Sequence, residues 1–438
     1  MKHFPLIIVL LLSSCKDRGV EPAPPKPVVT LTAEDIGVTE VWFSLKTQNV
    51  TLLSAVTVQR NNTTIAAFTL ATNDTLLVDT TALPKQTYTY KAILQSDSST
   101  PLQVTTMDTT SHNFTWQTFT FGGEAGAGNS ILNDVAIVND TCAWAVGEIN
   151  VLDSSGKIQN PPYNIARWDG KKWLLGSVSF PLYGFDCSIA GSYFGRGVSV
   201  YAFDASNVVL TDGGSIIKWN GTSYSNYPCA INVLNGAIKK LWGTSPNDLY
   251  AVGTNGTMIH YAGSNWTKLE SGTSATINDI WGVVNQRTGE RTILCAVSEF
   301  LSPGDRRILS ITPQNIVDTV AWTPQREIRS VWFQSSRNLF TAGEGIFQRN
   351  FLNQWKEFTA TPRIYSNRVR GTALNDIVAV GEWGMVLHYN GSTWQYYDEF
   401  YGNLLWHSSD YKNRTLMAGG YAGSGVDGAA IILYGKHN

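Results

Sequence analysis

GAIKKLWGTSPNDLYAVGTNGTMIHYAGSNWTKLESG, residues 236 to 272, is the unit from which most of the chain is built. Its four short β-type runs, IKKLWG, DLYAVG, TMIHYAG and WTKLES, are separated by Ser-Pro-Asn-Asp, Thr-Asn-Gly and Gly-Ser-Asn, residues that favour tight turns. Such a unit makes a small antiparallel sheet, and one copy cannot bury both of its faces. Residues 367 to 400 repeat it through Asn375-Asp376, Ala379-Val380-Gly381, His388-Tyr389 and the closing Trp394.

Laid along the chain, the unit occurs seven times, at 131 to 180, 197 to 229, 236 to 272, 276 to 325, 327 to 362, 367 to 400 and 403 to 438. A count of six or eight follows if the weak second or the stretched fourth copy is not a full unit. The last copy stops before its Trp strand, and residues 113 to 120, NFTWQTFT, stand alone before the first copy with the sequence that is missing. A ring explains both: the early strand completes the last sheet and no edge is left open. The expected fold is all-β, a small β-sandwich followed by a seven-bladed β-propeller over 113 to 438 that is closed by its N-terminal strand.

The Trp-Gly and Ser-Pro-Asn-Asp-Leu-Tyr-Ala-Val-Gly repeats resemble those of bacterial exported propellers, distantly similar to photosystem-assembly-factor-like propellers. That resemblance implies a propeller and little about activity. Residues 28 to 110 carry seven short alternating runs, the pattern of a sandwich. Trp42 and Leu83-Pro84-Lys85-Gln86-Thr87-Tyr88-Thr89-Tyr90 make this part similar to a fibronectin type III domain and its tyrosine corner, which implies a spacer or adhesion unit.

The N-terminus reads as an address. Residues 1 to 3 bear a lysine, residues 4 to 12 are apolar but too few to span a bilayer, and Leu12-Ser13-Ser14-Cys15 resembles the lipobox of bacterial lipoproteins. The resemblance implies acylation of Cys15 and anchoring to the cell envelope. Lys16 after the cysteine favours the outer membrane, and Lys16-Asp17 is similar to surface-export signals. Residues 16 to 27 form a proline-rich tether.

Composition excludes some partners. With 32 Lys and Arg against 34 Asp and Glu, the net charge of -2 gives no broad positive field for nucleic acid. The 15 Trp and 39 Gly in 438 residues, with only 15% charged, suit an extracytoplasmic all-β protein of many turns. A monomer is expected.

Candidate sites are few. In five of the seven copies the first strand carries a large aromatic, Tyr201, Trp242, Trp281, Trp332 and Trp406, best read as packing between sheets rather than a sugar-stacking surface. Two residues earlier stand Asp134, Ser199, Lys240, Asp279, Ser330, Arg368 and Leu404, polar in six of seven copies. Innermost strands surround the channel, so Asp134, Lys240, Asp279 and Arg368 are the expected ligand-binding ring, with a hydrated channel lining as the plainer alternative. His260 and His388 share a repeat position whose other occupants are Arg167, Lys218, Ser310, Gln348 and Leu433, and they fall on different copies, so no metal site is expected of them. His112 and His407 have no motif partners. Cys142 and Cys295 read as core residues, and Cys187 and Cys229 can pair in an oxidising compartment. No cofactor motif, catalytic nucleophile or phosphate loop is found. The chain thus reads as an envelope lipoprotein that binds a protein or carbohydrate without catalysis, the alternative being a glycan-active enzyme using Asp134 and Asp279 at the channel.

Overall fold

The computed structural model describes residues 25–285, 289–299, 304–335, 338–349, 353–359, 361–423 and 425–438. Cys15, the apolar leader and residues 16 to 24 of the tether lie outside the described residues. The described chain is almost all strand and turn, interrupted by three single-turn 3-10 helices. No helix among these residues is long and apolar enough to cross a membrane.

Residues 28 to 105 form eight strands in two sheets. Val28–Ile36, Val41–Gln48 and Asp74–Asp79 make one; Thr63–Thr69, Ala55–Arg60, Thr87–Leu94 and Asp97–Ser98 make the other, with Leu102–Thr105 beside Thr87–Leu94. Thr87–Leu94 buries every second side chain, the period of a strand with one face on a core. Trp42 and Tyr88 are both buried there, as core residues should be. By its internal contacts the chain separates into two units, one taking the chain up to Ala33, Phe43–Leu77 and Tyr88–Val104, the other Glu34–Trp42, Val78–Thr87 and Thr105–Asn438.

Among the described residues from 131 onward, the strands fall into one two-stranded hairpin and seven four-stranded antiparallel sheets. Their first strands are Ile131–Asn139, Ser199–Asp204, Ile238–Ser245, Ile277–Val284, Ile328–Phe333, Ser366–Ala373 and Leu404–Lys412. Each of these lies against the next, and Leu404–Lys412 lies against Ile131–Asn139, so the series returns to its start. The seventh sheet is completed from far away in sequence. Phe114–Gly122 pairs antiparallel with Ala429–His437 along its whole length, Phe114 opposite His437 and Gly122 opposite Ala429.

The Trp-Gly pairs of the repeat have a packing reason. A Cβ on Gly282 would lie 2.4 Å from the indole of Trp242, and one on Gly371 would lie 2.7 Å from the indole of Trp332. The aromatic of one sheet therefore packs directly on the glycine of the next, and apolar clusters fill the same junctions, as with Trp242, Ile280 and Cys295. Trp281 also donates its indole N–H to the carbonyl of Phe333 at 3.0 Å, across the following junction.

Two features were not expected from the repeats. A two-stranded hairpin, Phe180–Tyr183 with Ile189–Tyr193, is inserted between the first and second sheets. It is stapled to the end of the second sheet by a disulfide between Cys187 and Cys229 and by the Tyr183 hydroxyl on the Tyr227 carbonyl. The seventh copy is also shifted, because its irregularity in pairing lies between Trp406 and Ser408. Leu404 is therefore not the channel position, as the Trp406 alignment implied, and Trp406 is a buried residue of the sixth-to-seventh junction.

Gly282→Ala is expected to destabilise the protein by about 1–3 kcal/mol, because Trp242 must move. In an open strand the same change stabilises. Gly191, whose Cβ would meet nothing within 4 Å, is the control. Urea denaturation midpoints of G282A and G191A should shift in opposite directions, or G191A not at all.

Candidate functional site

The first strand of each sheet has a free inner edge facing the channel. Six of the seven carry a pairing irregularity near their start: Leu132/Asp134, Ile238/Lys240, Ile277/Asp279, Ile328/Ser330, Ser366/Arg368 and Trp406/Ser408. A bulge turns two consecutive side chains away from the alternating pattern. Here the second of each pair enters a buried belt, and the first lines an open cavity.

The belt consists of Asp134, Ser199, Lys240, Asp279, Ser330, Arg368 and Ser408, all buried. Asp134 accepts from Ser199 Oγ at 2.7 Å, Ser408 Oγ at 2.6 Å and Lys240 Nζ at 2.6 Å, and from the backbone N–H of Val200 at 3.0 Å. Asp279 accepts from Ser330 Oγ at 2.6 Å and Val331 N–H at 3.2 Å, and takes Arg370 in a two-pronged contact at 2.8 and 2.9 Å. Arg368 completes an ion pair with the same carboxylate. Ser199 and Ser330 accept in turn from Leu241 N–H and Val369 N–H. Belt side chains thus satisfy the unpaired amides of the following sheet's first strand.

Burial alone would raise the pKa of both carboxylates. Lys240 and Arg368 around Asp134, and Arg368 and Arg370 around Asp279, instead hold them below the usual carboxylate range. Acid catalysis at a glycosidic bond needs a carboxyl held protonated at working pH, and these are the reverse. The expected ligand ring is therefore a closed structural belt in which Asp134, Lys240, Asp279 and Arg368 serve one another.

The bulged residues Asn133, Lys239, Asn278, Arg329, Asn367 and His407 all line a cavity of about 500 Å³ on one side of the belt, joined by Arg196, Glu327 and Arg368. Arg329 and the three asparagines are fixed, Asn278 by donating to the Ser298 and Ile328 carbonyls at 2.8 and 3.3 Å. Arg329 bonds Glu327 Oε1, Glu382 Oε1 and Asn367 Oδ1 at 2.6–2.7 Å. Asn133 and Asn367 donate to the carbonyls of Gly197 and Trp406 in the following sheets, at 2.6 and 2.8 Å. Lys239 and Arg196 remain exposed. Burial together with Arg196, Lys239 and Arg329 pushes the pKa of His407 down to about 4, and its Nε2 has no hydrogen-bond partner among the described residues. The cavity is a positively charged mouth holding one neutral imidazole, suited to an anionic group.

On the opposite side a cavity of about 330 Å³ is lined by Tyr201, Trp242, Trp281, Arg370, Asp410 and Lys412 among others. Trp242 is nearly fully buried, and the Arg370 guanidinium covers the ring of Trp281 at 4.8 Å. These aromatics serve the junctions, in keeping with their reading as packing residues.

His260 and His388 occupy the same place in the third and sixth sheets, each bonding through Nε2 to the aspartate that opens the second strand, Asp248 at 2.7 Å and Asp376 at 3.0 Å. They do not meet each other. His388 does meet His437 and His112, neither of which any sequence motif joins to it. The register also gives Tyr434, opposite Met417, as the seventh occupant of that slot in place of Leu433. Cys142 and Cys295 are buried free thiols.

The bulge pairs are visible in the sequence as two adjacent polar residues interrupting an apolar strand, Asn133-Asp134, Lys239-Lys240, Asn278-Asp279, Arg329-Ser330, Asn367-Arg368 and His407-Ser408. That signal would have given the cavity as well as the belt. The hairpin and the histidine cluster leave no comparable trace.

No family model matches the chain, and no curated relative matches it. Among solved structures, YCF48 bound to D1 peptide is similar with a TM-score of 0.53 at 14% identity, covering 76% of this chain and all of that one. The fold is a β-propeller. The WD40 propeller domain of Doa1 is also similar, with a TM-score of 0.49 and 13% identity over 74% of this chain and 98% of that one. At such identities the likeness concerns the propeller fold alone.

Asp279→Asn is expected to cost about 3–5 kcal/mol, since it leaves two guanidinium groups facing a neutral amide in a buried belt. The wild-type contribution has a defined pH window. A carboxyl with a depressed folded pKa stabilises above its unfolded value near 3.9 and loses that stability as pH falls through the folded value. Acid titration followed by tryptophan fluorescence should therefore show the belt intact through the ordinary carboxylate range in the wild type.

Proposed function

We propose that this protein is a non-catalytic binding module of the cell envelope whose propeller takes a protein partner by an acidic, extended segment. The observation that carries this reading is the cationic mouth together with the stapled hairpin that leads into it. Leu182, Phe185 and Ile189 on the hairpin are exposed, Phe185 by 92%, and the chain runs from Ile189–Tyr193 directly to Arg196 in the mouth. An apolar knuckle held by a disulfide beside a basic cavity suits a polypeptide with acidic and apolar residues better than a neutral glycan. YCF48, a propeller of similar fold, is a solved case with a peptide bound.

In this reading the seven sheets are seven blades, residues 28 to 110 are a fibronectin type III-like sandwich acting as spacer, and 113 to 438 are the propeller. Cys15 carries the acyl anchor, residues 16 to 27 hold the protein off the outer membrane, and the protein acts as a monomer. The Cys187–Cys229 disulfide agrees with an oxidising, extracytoplasmic setting. The glycan-active alternative is the weaker one, because both channel carboxylates are consumed by ion pairs.

The full chain is to be tested on arrays of acidic-apolar peptides and of glycans. Saturable peptide binding that weakens with salt and is lost in the Arg196→Ala, Lys239→Ala double variant supports the reading. Glycan binding or turnover lost in Asp134→Asn and Asp279→Asn overturns it. Affinity also has a predicted pH dependence. An anion offsets the repulsion of His407 by Arg196, Lys239 and Arg329, which raises the imidazole pKa from about 4 and links binding to proton uptake. The affinity should therefore rise as pH falls from about 7.5 to about 5 in the wild type and stay flat in His407→Gln.

A further inference from the structure

We propose that Asp376, His388 and His437, with the hydroxyl of Tyr411, form a binding site for one divalent transition metal ion, zinc by its nitrogen and oxygen donors, that locks the seam of the ring. Asp376 and His388 belong to the sixth sheet, at the start of Asp376–Gly381 and within Val386–Tyr389; Tyr411 and His437 belong to the seventh, in Leu404–Lys412 and at the end of Ala429–His437. All four are buried. The ligand atoms of Asp376, His388 and His437 lie within 4.8 Å of one another. Asp376 Oδ1 is 3.0 Å from His388 Nε2, 3.1 Å from His437 Nδ1 and 2.7 Å from the Tyr411 hydroxyl, which is 3.0 Å from His437 Nδ1.

The hydrogen-bond directions aim a ring nitrogen of His437 at the carboxylate. The carbonyl of Ser111 can only accept, so His437 Nε2, 2.8 Å away, carries the ring proton. Nδ1 of His437 faces the carboxylate of Asp376 and the hydroxyl of Tyr411, at 3.1 and 3.0 Å. The third sheet supplies an internal comparison: Asp248 and His260 repeat the pair, and there Arg291 sits on the carboxylate at 2.8 Å. No Lys or Arg among the described residues makes an ion pair with Asp376, and His437 and Tyr411 face it instead.

The outer contacts fit metal ligation. A ligating imidazole donates its other N–H to a fixed acceptor. His437 has the Ser111 carbonyl, and His388 has His112, Nδ1 to Nδ1 at 2.9 Å, which continues to Thr393 Oγ1 at 3.2 Å. Ser111 and His112 precede the closing strand Phe114–Gly122, and His437 ends the strand it pairs with, so an ion here ties the chain end to the ring opening.

The full chain, stripped with chelator and dialysed against buffered zinc, should take up one equivalent, raise its thermal midpoint, and give the visible spectrum of a tetrahedral site with cobalt. His388→Gln and His437→Gln, folded by far-UV circular dichroism, should lose that equivalent. His112→Ala, which removes only an outer partner, should weaken binding about 10- to 100-fold. Failure of the wild type to bind zinc, or uptake unchanged in both glutamine variants, overturns the proposal. So does an NMR spectrum of the zinc-dialysed protein in which both ring nitrogens of His437 carry protons.

Discussion

The inner edge of each first strand is the constraint on which this propeller depends. Those strands have a neighbour on one side only, and the other side faces a narrow channel where unmet backbone N–H groups are expensive. The chain meets that demand with side chains from the preceding sheet: Asp134 for Val200, Ser199 for Leu241, Asp279 for Val331 and Ser330 for Val369. Because each bond crosses a junction, satisfying the amides also fixes one sheet against the next. The two carboxylates then need counter-charges, which Lys240, Arg368 and Arg370 provide from across the channel. A buried network of this kind adds little net stability against an apolar filling, but it specifies register.

The same bulges divide labour along the first strand. One residue is given to the belt and its neighbour to the cavity, so a single backbone irregularity, repeated, builds both the structural plug and the mouth above it. In the proposed reading the belt closes the channel and recognition is left to the rim. There the charges differ from sheet to sheet, with Lys239, Arg329 and His407 among carboxamides. Repetition supplies the positions and the individual side chains supply the specificity.

Much of this was legible in sequence because it is local or periodic. Turn residues at fixed spacing marked the strands, and the orphan Trp116 strand marked the closure. In six copies the polar position of the repeat coincides with the belt residue. In the seventh it does not, because aligning Trp406 with Trp242 crosses the bulge, and Ser408 holds the belt position. The use of Asp134 and Asp279 is not legible in sequence, since it depends on Lys240 and Arg370, 106 and 91 residues away. The histidine cluster was invisible for the same reason. His112 and His388 are 276 residues apart, and only ring closure brings them together.

The central claim is that the belt holds the ring shut and takes no part in ligand exchange. Native-state hydrogen exchange of the amides of Val200, Leu241, Val331 and Val369 tests it most directly. The account predicts that these four exchange only through global unfolding, at one common free energy, and that ligand at the mouth leaves their local protection unchanged. Exchange through local opening well below the global free energy would contradict it, because a channel that opens on its own is a site and not a plug.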